Sequence, residues 1–131
     1  MQRRLPDERR VLIVEDEDTI SEVVADALTL EGYEVRRARN GREALEMLQD
    51  WLPQLILLDL MMPVMNGWAF RAAQRQLTGG AADVPVVVLS GAREARARAD
   101  ELGAVEAMSK PFELNHVIET VGRWIRPSPL T

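Results

Sequence analysis

Val11-Leu12-Ile13-Val14-Glu15-Asp16-Glu17-Asp18 sets four apolar residues directly against four acids. A short, continuous apolar run marks a strand buried on both faces, as in a parallel sheet covered by helices. The acids then fall where the strand stops. Two further runs repeat the arrangement: Leu55-Ile56-Leu57-Leu58 stops at Asp59, and Val86-Val87-Val88-Leu89 stops at Ser90-Gly91. Weaker strands are expected from Tyr33 to Arg37 and from Ala104 to Met108, the second followed by Lys110-Pro111.

Helical periodicity fills the gaps. Ile20, Val23, Val24, Ala27 and Leu28 recur at i, i+3, i+4, i+7 and i+8, which predicts one apolar stripe. Thr19 with Glu22 reads as a capping box at the start of that helix, and Gly32 suits its end. Leu114, Val117, Ile118, Val121 and Ile125 form a second stripe. Helices are expected near 42–51 and 67–77, closed by Trp51-Leu52-Pro53 and Gly79-Gly80. The segment Arg93 to Leu102 is helix-prone but rich in Ala and Arg, so it offers little apolar area and is expected to be held loosely. A β-α unit repeated five times with short connections implies an α/β fold. Units of this size fit a flavodoxin-like doubly wound (βα)5 sheet, all parallel, in strand order 2-1-3-4-5.

Composition bounds the rest. The chain has 131 residues, 47% of them hydrophobic, which suits one packed domain. We expect a single domain over 1–131, with its core at about 9–126 and short tails at 1–8 and 127–131. A formal charge of −5 argues against a broad nucleic-acid surface. Cysteine is absent, which removes disulfides and thiolate metal sites and is compatible with a reducing cytoplasm. No apolar run approaches a membrane span, so a soluble, cytoplasmic protein is expected.

In open α/β sheets, ligands bind beyond the carboxyl ends of the strands, near the point where strand order reverses. With order 2-1-3-4-5, strands one and three are neighbours, so Glu15, Asp16 and Asp59 converge, and Ser90 and Lys110 flank them. Each residue alone has an ordinary explanation. Asp16 or Asp18 favours a helix N-terminus, Asp59 a turn with Pro63, Asn66 and Gly67, and Ser90-Gly91 a loop. Lys110 is the one lysine among sixteen basic residues. A compact ammonium differs physically from the planar guanidinium used everywhere else.

Carboxylates brought this close repel one another unless a cation joins them. Oxygen donors without His or Cys point to Mg²⁺, with Mn²⁺ possible, rather than zinc. His116, the only histidine, falls on the last helix and is expected at the surface or in packing. A metal and an ammonium around a carboxylate form a site for accepting a phosphoryl group.

The chain resembles the receiver domains of two-component response regulators over about residues 9–126. Glu15-Asp16 after the first strand resembles that family's acidic pair. Leu58-Asp59-Leu60-Met61-Met62-Pro63 with Gly67 resembles its phosphoacceptor segment. Leu89-Ser90-Gly91-Ala92 resembles the switch hydroxyl segment, and Lys110-Pro111-Phe112 the conserved-type lysine with its proline. The resemblance implies that Asp59 accepts phosphoryl from a phosphohistidine on a histidine kinase or a histidine phosphotransfer protein. It implies Mg²⁺ held by Asp16, Asp59 and the Met61 backbone carbonyl, with Glu15 helping, and phosphoryl contacts from Ser90 and Lys110. It further implies a signalling domain rather than an enzyme, catalysing its own phosphoryl transfer and later loss of the group. Its output would be a downstream protein or a homodimer.

One position departs from the family. The aromatic usually found three residues before this lysine is replaced by Ala107, which puts a rotamer-based switch in doubt and leaves movement of the fourth helix as the route. Two other readings compete. A degenerate receiver would serve as a docking or dimerisation module without phosphorylation, yet it has no use for Asp16, Asp59, Ser90 and Lys110 together. An aspartyl phosphatase would need a second acid two residues after its nucleophile, where this chain has Met61. Nucleotide-binding glycine loops are absent.

Overall fold

The computed structural model describes residues 9–91 and 95–125. Its elements alternate: β1 (Arg10–Val14), α1 (Asp18–Leu30), β2 (Glu34–Ala38), α2 (Gly41–Met47), β3 (Leu55–Asp59), α3 (Gly67–Gln74), β4 (Val86–Ser90), α4 (Ala95–Leu102), β5 (Glu106–Ser109) and α5 (Leu114–Trp124). A short 3-10 turn, Ala81–Asp83, precedes β4. The strands form one parallel sheet in the order β2-β1-β3-β4-β5, the flavodoxin-like order read from the sequence.

The continuous apolar runs are explained by two cores, one on each face of the sheet. Val11, Ile13, Leu55, Leu57, Val87 and Leu89 point toward Val24, Leu28, Val117 and Val121 of α1 and α5. The alternate residues Leu12, Val14, Ile56, Leu58, Val86 and Val88 point toward Ala44, Phe70, Ala99 and Leu102 of α2, α3 and α4. Each fully buried aliphatic side chain contributes roughly 1.5–3 kcal/mol, so the three central strands dominate the fold's stability. Their carboxyl ends are thereby fixed, and those ends carry Glu15, Asp59 and Ser90.

Several element ends differ from the expectations. Thr19 and Glu22 do not form a capping box: α1 begins two residues earlier than that box would set, at Asp18, and its N-cap Glu17 makes no side-chain cap bond. Asp18 favours this earlier start because an acid in the first turn suits the positive end of the helix dipole. Val23 is 44% exposed, and the buried stripe runs through Ser21, Val24 and Leu28 instead. Gly32, at φ +98°, ends α1 in a Schellman closure, with the Tyr33 and Gly32 amides donating to the Leu28 and Thr29 carbonyls. That closure uses Tyr33, so β2 starts at Glu34. In the same way the Ala104 amide closes onto the Ala99 carbonyl, and β5 starts only at Glu106. Helices α2 and α3 are shorter than expected because their last turns tighten into bonds such as Asp50 N–H to Met47 and Leu77 N–H to Gln74. Of the expected fourth helix, residues 93 and 94 lie outside the described residues, as do the tails 1–8 and 127–131.

Candidate functional site

Parallel registry brings the acids together. Val14 pairs with Leu58 across β1 and β3, so Glu15 and Asp59 follow paired positions on neighbouring strands. Both are buried, at 1% and 4% exposure, and Asp16 lies on the solvent side. One carboxylate oxygen from each of Glu15, Asp16 and Asp59 lies within 4.8 Å of the others. Glu17 and Asp18 are exposed and stay out of this cluster. The Glu17 amide donates to Glu15 Oε2 (3.2 Å), and Asp18 Oδ1 approaches Arg39 Nε at 3.9 Å.

Lys110 closes the other side. Its Nζ lies 2.8 Å from Glu15 Oε1 and 3.6 Å from Asp59 Oδ1, with its side chain 19% exposed. The backbone explains the placement: β5 pairs Ser109 with Ser90, and the Lys110 amide donates to the Ser90 carbonyl (2.9 Å). The Lys110–Pro111 peptide is cis. Ser90 itself is 1% exposed at the end of β4, one residue beyond the Leu89 that pairs with Asp59. Of the sequence-predicted residues, Glu15, Asp16, Asp59 and Lys110 make mutual approaches, and Ser90 sits beside them on the adjoining strand.

The segment after Asp59 is shaped to present it. Met61, 70% exposed, donates its amide to Asp59 Oδ1 (3.2 Å), a contact the sequence did not suggest. The Met65 amide then closes onto the Pro63 carbonyl (2.7 Å) with Val64 at φ +69°, a γ-turn that is strained for a β-branched residue. Asn66 caps α3 by accepting from the Ala69 amide (2.9 Å). Gly67 is required for close approach, since a Cβ there would meet the Leu60 backbone at 2.8 Å. The sequence signal for this loop was the Pro63-Asn66-Gly67 turn chemistry; nothing in it marked Val64.

The electrostatics are those of a site short of positive charge. The Asp59 carboxyl is pushed from 3.8 up to about 7, first by burial and then by Glu15, against the pull of Lys110 and the Met61 amide. For Lys110, burial favours the neutral amine. The contacts with Glu15 and Asp59 outweigh it, and its pKa rises. One ammonium thus lies against two carboxylates of a cluster of three. An all-oxygen donor set of this charge fits a hard divalent cation.

Ala107 is half-buried on β5. It lines an open cleft of about 450 Å3 with Met108, Ser109, Pro111, Phe112, Glu113 and His116. His116 is exposed on α5, the surface option of the two expected. Among the described residues no helix is long and apolar enough to cross a membrane.

Known proteins are similar to this chain in sequence and fold. The family model described as the response regulator receiver domain matches residues 11–122. Response regulator RR06 of Streptococcus pneumoniae is 36% identical over 118 residues, covering 88% of this chain and 52% of the relative. Response regulator MprA of Mycobacterium tuberculosis is 33% identical over 119 residues, covering 89% and 50%. The chain spans between 23% and 52% of the curated relatives AtoC and RR06, so it matches only part of their length. Among solved structures, the chemotaxis protein CheY4 of Vibrio cholerae superposes with a TM-score of 0.81 at 31% identity, covering 91% of this chain and all of the other. The response regulator TrrA of Thermotoga maritima, solved in complex with Mg(2+)-BeF, gives 0.77 at 29%, covering 89% and 99%. A sheet in the order 2-1-3-4-5, an acidic cluster at its carboxyl edge and this agreement along the sequence make the chain a member of the response regulator receiver domain family of two-component signalling.

Proposed function

We propose that Asp59 accepts a phosphoryl group from a phosphohistidine on a histidine kinase or histidine phosphotransfer protein. The observation that carries this reading is Lys110 Nζ set between two buried carboxylates, Glu15 at 2.8 Å and Asp59 at 3.6 Å. The Asp59 carboxylate attacks phosphorus, the N–P bond breaks, and the imidazole leaves with the bonding pair. Lys110 follows the charge from carboxylate to phosphoryl oxygen. Ser90, at the end of the next strand, supplies a hydroxyl to the same group. Glu15, buried and fixed by the Glu17 amide, holds the ammonium in place before and after transfer.

Glu15, Asp16 and Asp59, with the Met61 carbonyl, would hold Mg²⁺ or Mn²⁺, which supplies the positive charge that the phosphoryl oxygens and clustered carboxylates need. The magnesium-containing complex of the Thermotoga relative supports this choice of ion. Hydrolysis of the aspartyl phosphate would return the domain to its resting state, so it acts as a self-resetting switch in the cytoplasm. Output passes to a downstream protein or a second copy. A silent docking module is disfavoured, because it would gain nothing from burying Glu15 and Asp59 beside one ammonium. The whole 1–131 span is read as one receiver domain.

The test is labelling with acetyl phosphate and Mg²⁺, followed by peptide mapping. Phosphoryl is expected on Asp59 alone, and to vanish in EDTA. The same mass gain in an Asp59→Asn protein would place the acceptor elsewhere.

A further inference from the structure

The strand register that gathers the acids also places a second cation on the same edge. Ala38 of β2 pairs with Val14 of β1, and the Glu15 amide donates to the Ala38 carbonyl (3.0 Å). Arg39 is the next residue, so it stands beside Glu15 at the carboxyl edge. From β2 to β5 that edge reads Arg39, Glu15, Asp59, Ser90 and Lys110. Two cations thus flank the acids from opposite sides.

They are held on different terms. The Lys110 side chain is 19% exposed and lies 2.8 Å from Glu15. The Arg39 side chain is 72% exposed, and its ion pair among the described residues is with Asp18 Oδ1 at 3.9 Å. That separation is too long for a hydrogen bond. The Arg39 backbone is fixed, because its amide donates to Glu43 Oε1 (2.8 Å). The same contact engages the Glu43 carboxylate. Arg37 lies two residues earlier, on the same side of the strand, and is exposed. Among the described residues it makes no ion pair. Both arginines line a cleft of about 340 Å3 that reaches Glu15 and is bounded by Asp18, Ser21 and Glu22 of α1.

A phosphoryl donor is an anion, and the edge it approaches carries Glu15, Asp16 and Asp59, with Glu17 and Asp18 next in sequence. Lys110 is already engaged by two carboxylates. The Arg39 guanidinium still has its donors to spend. Strand spacing sets it one strand from Glu15 and two, roughly 10 Å, from Asp59. That is about one Debye length at physiological salt, so its charge is felt at the acceptor.

We propose that Arg39 captures small phosphoryl donors of the acyl phosphate class and delivers them to Asp59. The guanidinium leaves Asp18, pairs with phosphoryl oxygens of the donor and holds it over the acidic edge. The Asp59 carboxylate then attacks phosphorus. The bond between phosphorus and the acyl oxygen breaks, and the leaving carboxylate departs with the bonding pair. Arg39 is a positioning residue, acting before transfer. This inference rests on the acceptor role proposed for Asp59.

The test follows labelling of the full chain by acetyl phosphate in Mg²⁺, read by intact mass over a range of donor concentrations. In Arg39→Gln the rate at low donor should fall about fivefold, with the limiting rate at saturating donor unchanged. Arg39→Lys should restore most of the loss, and added salt should narrow the gap between wild type and Arg39→Gln. Arg98→Gln removes the same charge from α4, which packs against β4 and β5, and should leave the rate unchanged. An Arg39→Gln rate equal to that of the wild type at low donor, or an equal loss in Arg98→Gln, would overturn the capture role. So would a loss confined to the limiting rate. Absence of labelling in the wild type would instead remove the acceptor reading, and the capture role with it.

Discussion

Among the described residues, charge is buried in two places, and the two are built on opposite terms. At the carboxyl edge of the sheet, Glu15 and Asp59 share one ammonium, with Asp16 nearby, and the Asp59 carboxyl is pushed up to about 7. Between α3 and α4, Arg71 spends its donors on two backbone carbonyls and a buried amide, with like-charged Arg75 beside it. The first cluster is left short of positive charge, which the proposed cation would supply. The second is complete as it stands. Burial alone therefore does not mark a functional charge; a buried charge whose partners do not balance it does.

Removing Lys110 should have the largest effect. Lys110→Met leaves the buried Glu15 carboxylate without its cation, and we expect a loss of about 3–5 kcal/mol in denaturant unfolding with EDTA present. It should also abolish phosphoryl labelling. Next comes Arg71→Met, which strands the Gln74 amide oxygen and the Gly103 carbonyl. A loss of about 2–4 kcal/mol is expected, with Asp59 labelling by acetyl phosphate intact. Equal loss of labelling in both variants would erase the distinction between the clusters.

Asp59→Asn should act in the opposite direction. Taking one carboxylate from a crowded site is expected to raise metal-free stability by about 1–2 kcal/mol, read from thermal unfolding in EDTA. The same residue sets a pH dependence. The folded state keeps the Asp59 proton up to about pH 7, while the unfolded chain releases it near 3.8. This contribution to stability is thus fully present below pH 3.8 and is lost as pH rises through 7. The metal-free wild type should lose stability across that window relative to Asp59→Asn. Parallel curves would contradict the assignment.

The smallest effect belongs to the exposed rim. Glu106 accepts from Arg123 (2.7 Å) and Trp124 (2.7 Å). Burial favours its neutral form, but these two partners prevail and hold its pKa below the ordinary range. That contribution is present above the ordinary carboxylate range and fades as pH falls through the lowered value. Since Arg123 is half exposed, Arg123→Ala should cost under about 1 kcal/mol in denaturant unfolding.

These contrasts also mark what the sequence could disclose. Glu15, Asp16, Asp59 and Ser90 were legible because each ends or follows a strand whose apolar run is unmistakable, and strand order then dictates which ends meet; Lys110 follows a weak strand and stood out as the one lysine of the chain. The pairing of Lys110 with Glu15 more closely than with Asp59 was not legible, because it depends on how far a flexible side chain reaches. The Arg71–Gln74–Arg75 cluster was hidden for a different reason. The backbone carbonyls that accept from its two arginines are 27 to 32 residues away, which no residue type announces. A partial signal existed: Gly67, Phe70, Arg71 and Gln74 fall at i, i+3, i+4 and i+7, so two polar residues occupy the buried stripe of α3. Thr19 and Val23 were misread because neighbouring starts of one amphipathic helix fit the same pattern.

The account turns on tension among acids from separate strands that a cation relieves. Carboxyl-carbon NMR of Glu15, Asp16 and Asp59, titrated in pH with EDTA and then with Mg²⁺, measures this directly. The midpoint of Asp59 is predicted near 7 without metal and well within the ordinary carboxylate range with it. An Asp59 midpoint near 3.8 that ignores Mg²⁺ would contradict the account.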